Sequence, residues 1–125
     1  QGDEARDGTT YFHLFTYGTL RSGRGAAALL EGCEPVAAAA VTGTLFDIDG
    51  EYPALVLAGT GRVDGEIWRC PAATRPRLDE YEGGAEGPFR RVGLRVDEWA
   101  CWTYVAGPKL APRLNPNRRI PEGRW

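Results

Sequence analysis

Apolar positions recur along this chain in short bursts, each closed by glycine or a turn dipeptide. YFHLFTY, Tyr11 to Tyr17, is aromatic-rich and bounded by Gly18, which predicts a strand. GTLRSGRG follows as a glycine-punctuated loop, and AAALLEG, Ala26 to Gly32, predicts a short helix stopped by Gly32. Val36 to Ile48 reads as one long strand. Asp49-Gly50 then signals a hairpin, because this pair tolerates the positive φ values of a primed turn. The return strand is Tyr52 to Ala58. Its Pro53 has no N–H to donate, which places it at the strand start or on an edge.

Gly59-Thr60-Gly61 marks another turn, followed by a strand from Arg62 to Cys70. A second short helix is predicted over about Ala72 to Tyr81, closed by Gly83 and Gly84. Pro88 to Val96 and Glu98 to Val105 alternate in part and are joined tightly, as two further strands. From Gly107 onward the proline-rich chain looks irregular. Some six strands therefore follow one another with few helices between them. That order favours an α+β domain whose mixed, mainly antiparallel sheet curls into a small β-barrel of five to six strands, flanked by short helices.

Composition narrows this picture. A chain of 125 residues with 42% hydrophobic and 26% charged content is that of one folded domain. Residues 1–10 are polar and read as a loose tail, leaving 11–125 as the domain. The net charge of -2 argues against a general nucleic-acid or membrane-surface binder. No apolar run is long enough to span a bilayer, and the polar start lacks the apolar core of a signal peptide. Cys33, Cys70 and Cys101 are odd in number and far apart, without a CxxC or Cys/His cluster. Neither a disulfide framework nor a metal site is indicated, and a reduced cytoplasmic protein is expected. His13, the only histidine, sits inside YFHLF and reads as a packed strand residue rather than a partner for a nucleophilic thiol.

Candidate chemistry begins at LDEYEGG, Leu78 to Gly84. On a helix Leu78 and Glu82 share a face, with Tyr81 beside them, while Asp79 and Glu80 point elsewhere. A carboxylate carried toward an apolar wall loses hydration and becomes a better base. The plain alternative is a solvated Glu82 in a last helical turn, or one paired with Arg90 or Arg91. TYGTL, Thr16 to Leu20, is the second candidate, because a strand ending in Gly-Thr can present backbone N–H groups to an anion. It is equally an ordinary turn. Trp68, Trp99 and Trp102 read as core or face-covering residues. Arg91 and Arg95 share a strand face, which is either solvated or set to bind a substrate carboxylate.

The order FTYGTLRSG, GTLFDI-DGEYPALV, VDGEIW, LDEYEG, FRRVGLRV, WTYV and IPEGRW resembles the γ-glutamylcyclotransferase superfamily. The resemblance is to its small YGTL branch, which includes γ-glutamylamine cyclotransferases, plant avirulence-induced-like proteins and the enzyme that deprotects γ-glutamyl intermediates of butirosin. It covers about Tyr11 to Trp125. It implies the small β-barrel, no cofactor and no metal, and release of 5-oxoproline from a γ-glutamyl amine or amide. The catalytic glutamate falls on Glu82. Substrate-binding positions fall on Tyr17, Gly18, Thr19 and Leu20, on Tyr52 and Pro53, on Arg91 and on Tyr104. A small-molecule γ-glutamyl substrate and a monomer are the expected partner and state. Two alternatives stay open: a γ-glutamyl hydrolase releasing glutamate, and a non-catalytic domain that binds an acidic small molecule. The leaving amine is unspecified, so deprotection in natural-product biosynthesis and repair of γ-glutamyl-lysine links both fit.

Overall fold

The computed structural model of the chain describes residues 11–17, 32–48, 52–76 and 88–123. Seven strands account for most of them. They are β1 (Tyr11–Thr16), β2 (Glu34–Thr42), β3 (Thr44–Ile48), β4 (Tyr52–Val56), β5 (Arg62–Pro71), β6 (Phe89–Val96) and β7 (Trp99–Ala106). Five form one sheet in the order β2-β5-β1-β7-β6, and β3 and β4 form a separate two-stranded sheet. All pairings are antiparallel except β1 with β7, where Leu14 faces Trp102 in parallel register.

The mainly antiparallel α+β architecture agrees with the pattern of the sequence, with two corrections. The segment Val36 to Ile48 is two strands, not one. Gly43 divides it, its N–H bonding to the Gly61 carbonyl at 3.0 Å. A Cβ at position 43 would lie 2.7 Å from the Val56 carbonyl oxygen, so only glycine lets the backbones come this close. Before Gly43 the chain runs with β5; after it, the chain leaves the main sheet to pair with β4.

The second correction follows from the first. Among the described residues, the sheet does not close into a barrel. The segment that would continue the ladder is used in a separate hairpin, and β2 and β6 approach each other as ends without hydrogen-bonded pairing.

Both predicted hairpins are present. Ile48 faces Tyr52 across the first, with Pro53 second in β4, opposite Asp47. Val96 faces Trp99 across the second, and Asp97 takes the left-handed conformation there, φ 53°, which aspartate tolerates better than most residues. The Asp49-Gly50 turn itself lies outside the described residues. So do the predicted Ala26–Gly32 helix up to Glu31, and the predicted Ala72–Tyr81 helix beyond residues 74–76, which are helical. Among the described residues, no helix is long and apolar enough to cross a membrane.

Period-2 alternation gives the five-stranded sheet two unlike faces. One carries Phe15, Tyr17, Val63, Ile67, Val96 and Cys101, and packs against Leu45 and Leu55 of the β3–β4 hairpin. Each large side chain buried there contributes about 1.5–3 kcal/mol. Gly65 of β5 belongs to this packing: the Phe15 ring lies where its Cβ would be, 2.7 Å from the nearest ring carbon. The opposite face carries Leu14, Trp68, Cys70 and Tyr104, with Phe12, Phe89 and Trp102 beside them.

The segment after Gly107 is ordered by the sheets rather than by its own periodicity. It forms short 3-10 turns over Pro108–Arg113 and Pro116–Arg118. Leu110, fully buried, packs with Ile48 and Ala54. The Ile120 N–H then donates to the Leu45 carbonyl at 2.8 Å, and the Gly123 carbonyl accepts from Asp64 N–H at 2.8 Å. Gly123 has φ 68° and lies against the Arg62 carbonyl, where no side chain fits. Residues 119–123 thus bond to the hairpin and to the main sheet.

Candidate functional site

Two of the residues singled out in the sequence, Tyr17 and Tyr104, meet where β1 ends. Tyr17 is the first residue past β1 and is buried. Its hydroxyl donates to the Tyr104 carbonyl of β7 at 2.5 Å and accepts from the Leu55 N–H of β4 at 3.3 Å. Leu55 is fully buried, so its amide requires a partner; an orphaned one would cost about 1–3 kcal/mol. The phenol therefore joins the main sheet to the hairpin and fixes the point from which residues 18–20 depart. Pro53, also buried, lies two residues before Leu55 on the same side of β4.

Tyr104 faces Arg91 across the β6–β7 ladder. Its side chain is buried with Leu14, Trp68 and Cys70. Arg91 is half-buried, its guanidinium carbon 5.1 Å from the centroid of the Trp102 ring. This is cation–π distance, and the flat ring holds the cation over the aromatic face of the sheet. Gly93, opposite Trp102, leaves the indole room: a Cβ there would sit 3.7 Å from its ring. The sequence thus predicts correctly that Arg91 and Arg95 share one side of their strand.

Glu82, Gly18, Thr19 and Leu20 lie outside the described residues, as does the side chain of Tyr52. Tyr17 and Pro53 lie on the hairpin side of the sheet, whereas the Tyr104 and Arg91 side chains belong to the opposite face, and the link between the two pairs is the bond from the Tyr17 hydroxyl to the Tyr104 backbone carbonyl.

One charged group near these residues was not singled out from the sequence. Glu66 of β5 faces Thr16, and the Thr16 hydroxyl donates to the Glu66 carbonyl at 3.4 Å. The half-buried carboxylate accepts the Trp68 indole N–H at 3.2 Å. Its signal in the sequence is the spacing E-I-W: residues two apart on a strand share a face, which puts Glu66 beside Trp68.

The thiols show no sign of nucleophilic activation. Cys70 and Cys101 are buried, and Cys33 is half-buried with its Sγ 3.8 Å from the Thr74 hydroxyl. Burial pushes the Cys101 thiol up to about 11 from 9.0. His13 packs its ring 4.9 Å from that of Trp99, tilted by 51°, as a strand histidine does. Among the described residues, no group of three His, Cys, Asp or Glu side chains is placed to hold a metal ion.

The fold has well-matched counterparts among solved structures. An uncharacterized protein from Pyrococcus horikoshii superposes with a TM-score of 0.73 at 23% identity, over 90% of this chain and 88% of that one. The protein ytfP from Escherichia coli gives 0.70 at 26% identity, over 91% and 96%. An AIG2-like protein from Mus musculus gives 0.65 at 24% identity, over 79% and 81%. No curated protein matches the chain significantly. The family described as gamma-glutamyl cyclotransferase, AIG2-like, matches residues 14–125, from the middle of β1 through the segment that ties the two sheets. By that match over nearly its whole length, this chain belongs to the gamma-glutamyl cyclotransferase, AIG2-like family.

Proposed function

We propose that this protein releases 5-oxoproline and a free amine from a γ-glutamyl amine or amide. The supporting observation is the Tyr17 hydroxyl, which bonds to the strand bearing Tyr104 and to the strand bearing Pro53. That bridge holds Tyr17, the first residue of the YGTL motif, to β7, the strand next to the one that carries Arg91.

The reaction is an intramolecular aminolysis. The substrate's α-amino nitrogen attacks its own γ-carbonyl carbon and forms the lactam C–N bond. The bond from that carbon to the leaving amine then breaks. Because nucleophile and electrophile share one molecule, the protein's task is to fold the glutamyl arm and hold it. Arg91 is the counter-charge for the α-carboxylate. The backbone N–H groups of residues 18–20 stabilise the oxyanion of the tetrahedral intermediate. Glu82 takes a proton from the α-ammonium, the attacking nitrogen sheds a second as it becomes the lactam N–H, and both end on the departing amine, which leaves as an ammonium, so that proton count and charge balance over the cycle.

The test is a panel of γ-glutamyl amines and amides, with products separated by chromatography. Release of 5-oxoproline is the expected result, whereas free glutamate would identify a hydrolase. Glu82→Gln is expected to retain the melting temperature and lose roughly 10²–10⁴-fold in rate. Near wild-type turnover by that variant would remove Glu82 from the mechanism.

A further inference from the structure

The strand registers place four side chains of differing chemistry in one lateral row. Glu66 on β5 faces Thr16 on β1. Leu14 pairs with Trp102 in the parallel β1–β7 contact, so two residues further along both strands Thr16 lies beside Tyr104. Tyr104 in turn faces Arg91 on β6. All four project from the face that carries Trp68 and Trp102: Glu66 bonds the first indole and Arg91 lies over the second. A carboxylate and a guanidinium thus stand at opposite ends of a row, with a hydroxyl and a phenol between them. Three strand spacings separate the end positions, roughly 14 Å from backbone to backbone. The Arg91 guanidinium leans from β6 over the Trp102 ring of β7, which shortens that span.

We propose that Glu66 is the ammonium-binding residue of the site, facing the substrate's α-amino group as Arg91 faces its α-carboxylate. This rests on the γ-glutamyl reading above and adds a specificity determinant to it. A carboxylate is an acceptor-only group that recognises N–H donors. The α-ammonium is the cation present in every γ-glutamyl compound, whatever its leaving amine. The Trp68 N–H fixes the direction of the carboxylate, and its half-buried position beside Trp68 and Leu14 strengthens attraction to a cation relative to open water. Glu66 also stands opposite the last residue of β1, one position before Tyr17, where the YGTL loop begins. A row that sorts the two charges of an amino-acid head group would select α-amino acids over simple carboxylic acids before chemistry starts.

The competing role for Glu66 is structural, as a partner for the buried indole N–H. Glu66→Gln separates the two, because glutamine keeps a carbonyl oxygen for the indole and loses the charge. Two probes are needed: a γ-glutamyl alkylamide as substrate, and the matching glutaric acid monoalkylamide, which keeps the carboxylate and amide but has no α-amino group. The variant is expected to keep its melting temperature, raise KM for the substrate about tenfold and change kcat little. The inhibition constant of the des-amino amide is expected to be the same for both proteins. An unchanged KM, or an inhibition constant rising in parallel with KM, would overturn the proposal. If wild-type protein releases no 5-oxoproline, the cyclotransferase reading fails separately. Calorimetric binding then decides for Glu66: wild type must favour the α-amino compound over the des-amino amide, and Glu66→Gln must not.

Discussion

The two faces of the five-stranded sheet are built from the same strands and do different work. The face under the hairpin is aliphatic and aromatic, with Phe15, Val63, Ile67 and Val96 packed against Leu45 and Leu55. The other carries tryptophans and a tyrosine together with Glu66 and Arg91. The first face buries apolar area and stabilises the fold. The second also buries Leu14, Trp68, Cys70 and Tyr104, and in addition holds Arg91 over the Trp102 ring and Glu66 on the Trp68 N–H, the groups to which recognition is assigned in the proposal above. Alternation along β1 divides adjacent residues between the two: Phe15 packs inward under the hairpin, while Leu14 and Thr16 belong to the other side.

The hardest test of this division is Phe15→Ala. Removing a fully buried ring that packs on Gly65 should cost about 3–5 kcal/mol in denaturant unfolding. The rate per folded molecule should stay close to wild type. A stable variant with lost turnover would show that the hairpin-covered face takes part in chemistry. Tyr17→Phe comes next, because this side chain joins the main sheet to the hairpin. Losing the hydroxyl leaves the Leu55 N–H without that acceptor, so a loss of about 1–3 kcal/mol is expected, together with a fall in kcat as the loop root loosens. If stability fell and kcat did not, the bridge would be a brace for the hairpin alone.

The smallest effect expected is at Cys101. Its thiol is pushed up to about 11 by burial, whereas the unfolded chain releases that proton near 9.0. Between those values the folded state holds a proton that the unfolded state has lost, so this group's contribution is full below about pH 9 and declines toward pH 11. Cys101→Ala should flatten that alkaline decline without altering neutral-pH turnover. Thiolate absorbance at ordinary thiol pH that is present in the folded wild type and missing from folded Cys101→Ala would contradict it.

Much of this organisation is readable in the sequence where the determinants are local. The β6–β7 hairpin follows from alternation on either side of Asp97-Glu98, and the position of Pro53 follows from its missing N–H. The division at Gly43 is not readable that way. Apolar residues flank Thr42-Gly43-Thr44 on both sides, and what breaks the strand is a bond to Gly61 and the closeness of Val56, both distant in sequence. For the same reason the parallel neighbourhood of β1 and β7 is hidden, although it sets Thr16 beside Tyr104 and so creates the charged row. Motif resemblance points to Tyr17, Arg91 and Tyr104 one at a time. Their proximity depends on register, and Glu66 becomes a candidate only once that register is known.

The bonds from residues 119–123 bear on how the molecule is made. The Leu45 carbonyl and the Asp64 amide receive their partners from Ile120 and Gly123. Those partners are synthesised long after the strands they complete, and β7 must also return to β1 across most of the chain. A ribosome that has released only β1 to β5 therefore presents a sheet with an unpaired β1 edge and a hairpin that still lacks its bond to Ile120. Such a topology folds late and slowly, and it commits to its native form only after residue 123 has emerged.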